Sequence, residues 1–250
     1  MTMPRIVTAE LLDRLFASDP AAIRSRHDLR RVHRLMGTRG IAVRALRACG
    51  VPRRATGGLR VLELGAGDGS LMLSIARALQ REWPTVQLTL LDRLDLVDVA
   101  TIAEYAELGW QAEAAVLDAL DWARCDAAID SRASPHWDLI VANLFLHHFD
   151  DARLGMLLRA IAAHTNRFFA CEPRRGWLAR GGSHLIGAVG ATAVTRTDAV
   201  SSVHAGFRDK ELSALWPSDT QRFRLKEYSA GLFSHCLYVE RIQHAQSAPH

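Results

Sequence analysis

Residues able to do chemistry stand where short apolar runs end. Val61-Leu62-Glu63-Leu64 carries one acid into Gly65-Ala66-Gly67-Asp68-Gly69, and an apolar pattern at Leu71, Ile75, Ala78 and Leu79 follows. Glycine tolerates positive φ and has no Cβ, so the backbone of such a turn can pass close to a ligand at a helix N-terminus. Asp92 ends the run Val86 to Leu91, Asp118 ends 111–117, Asn143 ends Trp137 to Ala142, and Glu172-Pro173 ends 167–171. His147 and His148 follow Asn143 closely, and imidazole can take a proton near neutral pH. The chemistry on offer is a nucleotide-like binding site with acid–base groups beside it.

The elements that must position these residues alternate. From Leu59 onward strands of 5–7 residues exchange with helical patterns at 69–81, 96–108 and 150–163, which argues for a parallel sheet. In such a sheet ligands bind beyond the carboxyl ends of the strands, where strand order reverses. The glycine turn, Asp92, Asp118, Asn143 and Glu172 all fall on those ends. Upstream, 5–18 and 20–48 read as helices, the second broken near Gly37-Thr38-Arg39-Gly40, and Gly57-Gly58 makes a hinge. Residues 121–134 read as a polar loop and 176–206 as a glycine-rich helix and mobile loop. Two runs flanking Ala230-Gly231 form an antiparallel pair. The expected organisation is a helical arm at 1–58, a core at 59–241 and a frayed tail at 242–250.

Composition narrows the class. The 250 residues suffice for one α/β domain with a sizeable core. No apolar run reaches the roughly 18 residues of a membrane span, and Met1 to Glu10 lacks the apolar centre of a signal peptide. Four dispersed cysteines read as thiols of a reducing, cytoplasmic compartment. Ten arginines and a single acid, Asp28, lie between Arg24 and Arg54 within a net charge of +4. They read as a solvated helix face in preference to a nucleic-acid footprint, because aromatic residues for base stacking are absent there.

With these motifs in order, residues 59–241 resemble the class I S-adenosylmethionine-dependent methyltransferases. Glu63 to Gly69 is similar to the E-x-G-x-G-x-G turn, Asp92 and Asp118-Ala119 to the acids after strands 2 and 3, and Trp137 to Leu144 to the strand-4 signature. A dehydrogenase fingerprint, G-x-G-x-x-G, requires glycine where Ser70 stands. The resemblance implies a doubly wound, Rossmann-like α/β fold: a seven-stranded sheet, mostly parallel with a C-terminal antiparallel strand, plus an N-terminal helical cap. It also implies S-adenosylmethionine as cofactor. The Gly65, Ala66, Gly67, Asp68, Gly69 turn would admit its methionyl and ribose parts, with Glu63 holding the ammonium. Asp92 would take the ribose hydroxyls, Arg93 would flank the adenine, Asp118 and Ala119 would contact its edge, and Asn143 with Leu144 would close the methionine end. The segment Asp28 to Leu46 with Asn143 to Phe149 is similar to bacterial enzymes that methylate small aromatic or polyketide-type metabolites.

Transfer of a methyl group from a sulfonium is an in-line displacement, so positioning supplies much of the rate and a hydroxyl acceptor also needs a base. His148, His147 and His204 are the candidates, with His184 and His235 behind them. Phe145, Phe149, Trp177 and Phe207 would line an acceptor pocket built from the arm and 176–206, and Glu172 or Arg174 would orient a phenolate. No metal is expected, because cation-dependent catechol methyltransferases place acids at the ends of strands 4 and 5, where this chain has Asn143 and Glu172-Pro173. The expected activity is O-methylation of a phenolic or enolic hydroxyl on a small lipophilic metabolite, by a cytoplasmic enzyme able to form a homodimer. The alternatives are C-methylation of a quinone- or polyketide-type acceptor, nucleic-acid methylation, and a non-catalytic cofactor-binding partner.

Overall fold

The computed structural model describes residues 3–49, 58–83, 85–128, 137–177, 179, 181–182, 190–217 and 222–242. Within them runs a single seven-stranded sheet in the order β3-β2-β1-β4-β5-β7-β6. Its strands are β1 Leu59–Leu64, β2 Val86–Asp92, β3 Trp110–Val116, β4 Leu139–Asn143, β5 Arg167–Pro173, β6 Phe223–Ala230 and β7 Ser234–Arg241. The first five are parallel; β7 enters antiparallel between β5 and β6. Strand order reverses between β1 and β4, with Glu63 paired to Val141 across that join.

The helices are α1 Pro20–Met36, α2 Thr38–Ala48, α3 Ser70–Leu79, α4 Val99–Glu107, α5 Ala119–Ala128, α6 Asp151–His164, α7 Ala193–Ala205 and α8 Glu211–Leu215. They cover both faces of the sheet. On one side Ile41, Leu46, Ile75, Leu79, Tyr105 and Trp110 pack on Val61, Leu88 and Val141. On the other, Leu154, Leu158, Ile161 and Trp216 pack on Leu62, Ile140 and Phe168. Every β4 residue is buried, so this strand is apolar on both faces until Asn143.

Two expected elements differ. Residues 5–18 are an extended arm with a single 3₁₀ turn at Leu12–Arg14, and that turn buries none of its side chains. The arm's donors are satisfied from outside: Ile6 N bonds His204 O at 3.1 Å, while Leu11 N and Leu12 N bond the Asp198 carboxylate at 2.7 and 2.9 Å. Partners supplied by α7 replace those a helix would have provided. Arg5 adds a clamp, reaching Asp151, Phe149 O and Ala205 O at 2.6, 2.7 and 2.9 Å.

The second difference is α5, which occupies the start of the expected 121–134 loop. Asp118 Oδ1 accepts from Leu120 N at 2.7 Å, and an Arg124–Asp121 pair at 2.7 Å supports the next turn. Residues 129–134 of that expected loop lie outside the described residues. The break near Gly37 is the left-handed turn (φ +68°) between α1 and α2, and Asp19 caps α1 through Ala21 N at 2.7 Å. Within 176–206 lies α7, and residues 178, 180 and 183–189 are outside the description.

Candidate active site

The carboxyl ends of β1, β2 and β4 open into a cleft of about 700 Å³, closed from the other side by the arm, α1 and α7. Gly65 and Ala66 anchor the turn to Leu91 O at 2.9 and 3.1 Å, and Gly65, Gly67 and Gly69 all take positive φ. The first two glycines serve different ends. A Cβ on Gly65 would lie 2.2 Å from the Phe145 ring, so its absence lets the strand-4 turn close on the strand-1 turn. A Cβ on Gly67 would meet nothing within 4 Å, because Gly67 faces open cleft.

Asp92 ties this turn to β2. Its Oδ2 accepts from Gly67 N at 2.8 Å and its Oδ1 from Leu94 N at 3.0 Å. Each carboxylate oxygen has a further lone pair, so these bonds orient the group without exhausting it. Asp68 starts α3 through Ser70 N at 3.0 Å and meets Arg30 at 3.0 Å. Asp118 is exposed and starts α5, with Ala119 buried beneath it; both border the cleft.

Glu63 and Asn143 meet at the adjoining ends of β1 and β4. Asn143 Nδ2 donates to Glu63 Oε1 at 3.4 Å, whereas Glu63 Oε2 and Asn143 Oδ1 are buried without a partner. Burial drives the Glu63 carboxyl up to about 8, aided by Asp92 and Asp68 and opposed by Asn143. Two acceptors without donors, one ready to ionise, form a receptor for a cationic donor such as an ammonium group.

Past Asn143 the chain turns sharply, and Leu144 takes a positive φ of 53°. Glu172 is why this turn persists. Its Oε1 accepts from the backbone N–H of Phe145 and Leu146, both at 3.0 Å, and its Oε2 from His147 N at 3.3 Å and His147 Nδ1 at 2.8 Å. The expected phenolate-orienting role of Glu172 is corrected accordingly: the carboxylate is fully buried behind the turn and does not reach the cleft wall.

The two histidines differ. His147 is buried between Glu172 and Glu10, with its Nε2 3.5 Å from Glu10 Oε1. Burial works to lower its pKa, but the two carboxylates outweigh it and raise the imidazole to about 9. A ring already protonated at neutral pH is a poor base. His148 is partly exposed, with Nδ1 3.4 Å from Asp13 Oδ2, and Asp13 in turn holds Arg93 at 2.8 Å. For Glu10 and Asp13 burial opposes ionisation, but their histidine partners win and hold both below the usual carboxylate range.

The structure thus brings Glu63, Gly65, Ala66, Gly67, Asp68, Asp92, Arg93, Asp118, Ala119, Asn143, Leu144, Phe145, His147, His148 and Phe149 to one cleft. Phe145 and Phe149 meet edge to face at 5.1 Å. Gly69 lies one step behind it, against Leu90. His204, Arg174, Trp177 and Phe207 do not line the cleft. Phe207 is fully buried under the Arg5 guanidinium, Arg174 bridges to it along the backbone, and Trp177 stands largely exposed. His235 is buried on β7 and paired with Glu227 at 2.7 Å, and His184 lies outside the described residues. Sequence reading missed Glu10, Asp13, His33 and Ser202, all on the cleft wall. No spacing signal joins Glu10 to Ser202, 192 positions away; only the arm's path does.

A family model described as a methyltransferase domain matches residues 7–220, and the chain belongs to that family. It is an S-adenosylmethionine-dependent methyltransferase. Its fold is similar to that of the plantazolicin methyltransferase BpumL in complex with SAH, at 14% identity over 90% of this chain and 92% of that chain, with a TM-score of 0.61. An O-methyltransferase family protein from Burkholderia thailandensis aligns at 18% identity over 93% of this chain and 63% of that chain, with a TM-score of 0.58. The magnesium protoporphyrin IX methyltransferase ChlM from Synechocystis PCC 6803 with bound SAM aligns at 14% identity over 92% and 90%, with a TM-score of 0.51. No curated protein sequence matches the chain.

The residues present fit this cofactor. The unpartnered Glu63 Oε2 and Asn143 Oδ1 suit its ammonium, the space above Gly67 admits its backbone-hugging portion, and Asp92 retains lone pairs for hydroxyl donors. Bound there, S-adenosylmethionine supplies an electrophilic methyl group on sulfur. No described helix is long and apolar enough to cross a membrane.

Proposed function

We propose that the enzyme methylates a hydroxyl oxygen, phenolic or enolic, on a small lipophilic or aromatic acceptor. The observation that carries this reading is the composition of one cleft. The ammonium receptor of Glu63 and Asn143, the rings of Phe145, Phe149 and Phe233, and the His148–Asp13 pair all border the same volume. Apolar walls with a few convergent polar groups suit a small acceptor. Asn143 and the glycine turn hold the donor side, and the aromatic rings hold the acceptor.

His148 is the base in this reading. His147 carries its proton and keeps it, clamped by Glu172, so it serves to fix the turn. Asp13 stabilises the imidazolium that His148 becomes, and the arm over the cleft limits water. A nucleic-acid acceptor is disfavoured because arginines of α1 and α2 are engaged within the molecule: Arg30 with Asp68, Arg39 with Ser74 O and Arg47 with Glu82.

The test is incubation of the protein and S-adenosylmethionine with a panel of phenols, enols, quinones and short RNAs, read by mass spectrometry. A methyl ether on a phenol or enol, reduced at least tenfold by His148→Ala, is the expected result. A carbon- or nitrogen-methylated product would overturn the oxygen assignment.

A further inference from the structure

We infer that Glu10, His147 and His148 form a binding site for a divalent first-row transition ion of the zinc or manganese kind, on the acceptor side of the cleft. One donor atom of each residue lies within 4.8 Å of the others, and they come from two separate segments, the arm and the turn after β4. His147 Nε2 and Glu10 Oε1 are 3.5 Å apart. That is longer than the roughly 2.7–3.2 Å of an N–H···O hydrogen bond. It is close to the edge of about 3.3 Å spanned by two ligands each about 2.0–2.1 Å from a tetrahedral ion.

A second observation concerns the other nitrogen of the same ring. His147 Nδ1 lies 2.8 Å from Glu172 Oε2. Histidines that ligate metals almost always give their second N–H to a carboxylate, which fixes the tautomer. At His147 the ion would take the place of the Nε2 proton that the ring carries without metal. Glu172 is itself immobilised by three backbone N–H groups, so the ring is built into place. Glu10 is held in turn by the Ser202 hydroxyl of α7. The His148 ring stands beside His147 with centroids 4.4 Å apart, and Asp13 lies 3.4 Å from its Nδ1. Two imidazoles and a carboxylate favour zinc, manganese or iron over magnesium and calcium, which take all-oxygen shells.

The ion's binding stands on this geometry alone; its role rests on the oxygen-methylation reading. With the ion in place the acceptor hydroxyl occupies an open coordination position and its proton leaves to water. The oxygen then forms the new bond to the methyl carbon as the carbon–sulfur bond breaks, its electron pair remaining on sulfur. His148 would be a ligand in that state, so the base role assigned to it above is that of the metal-free enzyme.

The test uses full-length protein freed of metal by chelator. Calorimetry with Zn²⁺, and visible absorption with Co²⁺, should show one equivalent bound, and Glu10→Gln should weaken binding about tenfold or more without altering the circular dichroism spectrum. Activity should fall in chelator and return with Zn²⁺ or Mn²⁺. Absence of stoichiometric binding by wild-type protein, or equal binding by Glu10→Gln, would overturn the site. Full activity in chelator would overturn its catalytic role. Oxygen methylation persisting without any metal binding removes the ion and leaves the proposed function standing, whereas a carbon-methylated product with metal bound removes the role and leaves the site.

Discussion

Asp13 touches Arg93 with one carboxylate oxygen, at 2.8 Å, and His148 with the other, at 3.4 Å. One residue of the arm therefore links the segment after β2, on the cofactor side, to the turn after β4, on the acceptor side. Asp13→Asn keeps the shape and removes the charge. It should lower kcat about tenfold, since a carboxylate 3.4 Å from the ring stabilises the imidazolium formed as His148 takes the proton, while KM for S-adenosylmethionine changes less than threefold. Steady-state kinetics check this; an unchanged kcat would reduce the contact to a surface ion pair.

Glu63 should trade stability for affinity. Its folded pKa, about 8, lies above the ordinary 4.5, so the folded protein holds a proton that the unfolded chain gives up. The associated stability is present below about pH 4.5 and is lost as pH rises through 8. Glu63→Gln should therefore raise the Tm of the cofactor-free protein at pH 8.5, yet bind S-adenosylhomocysteine tenfold or more weakly. In the wild type that affinity should rise between pH 6.5 and 8, because an ammonium favours the ionised carboxylate. Calorimetry at the two pH values decides it.

For His147 the sign is also that of a raised folded pKa. The Glu10 and Glu172 contacts contribute fully below about 6.5, the unfolded value, and are lost as pH climbs through about 9. The contribution is at most about 3 kcal/mol, from 1.36 kcal/mol per pKa unit. Denaturation midpoints measured from pH 6 to 9.5 should fall more steeply for the wild type than for His147→Gln. Parallel slopes would show that His147 is neutral in the folded protein.

The two turn glycines should separate folding from binding. Gly65→Ala drives a methyl group into Phe145 at 2.2 Å and should destabilise the protein by several kcal/mol or prevent folding. Gly67→Ala meets no protein atom and adds only the strain of a positive φ, about 1 kcal/mol. Its methyl group stands in the cleft, so Tm should move by a few degrees while S-adenosylhomocysteine affinity falls at least tenfold. Equal affinity in Gly67→Ala would show that the cofactor passes elsewhere.

The parallel sheet, its alternation with helices and the polar residues at its strand ends were legible in the chain itself. Each depends on local rules: apolar runs of strand length, a glycine turn where backbone must bend leftward, and polar residues at the strand ends of one parallel sheet. Glu63, Asp92 and Asn143 sit within a few residues of the signals that announce them. The acceptor side had no such signal. Residues 5–18 carry enough apolar character to read as a helix, but the arm forms a single 3₁₀ turn, and Asp198, nearly 190 positions away, accepts from the Leu11 and Leu12 N–H groups that open it. That contact, with the Arg5 clamp and the Ser202 hydroxyl on Glu10, lays Glu10 and Asp13 against His147 and His148. Likewise, Glu172 reads as one more strand-end acid, and only the fold turns it inward to bind three backbone N–H groups and a buried ring. Periodicity and turn chemistry report short-range backbone preferences, and these determined where the glycine turn and the strand-end polar residues lie. The long-range pairing of buried charge, decided only in three dimensions, shaped the opposite wall of the cleft, where Glu10 and Asp13 face His147 and His148.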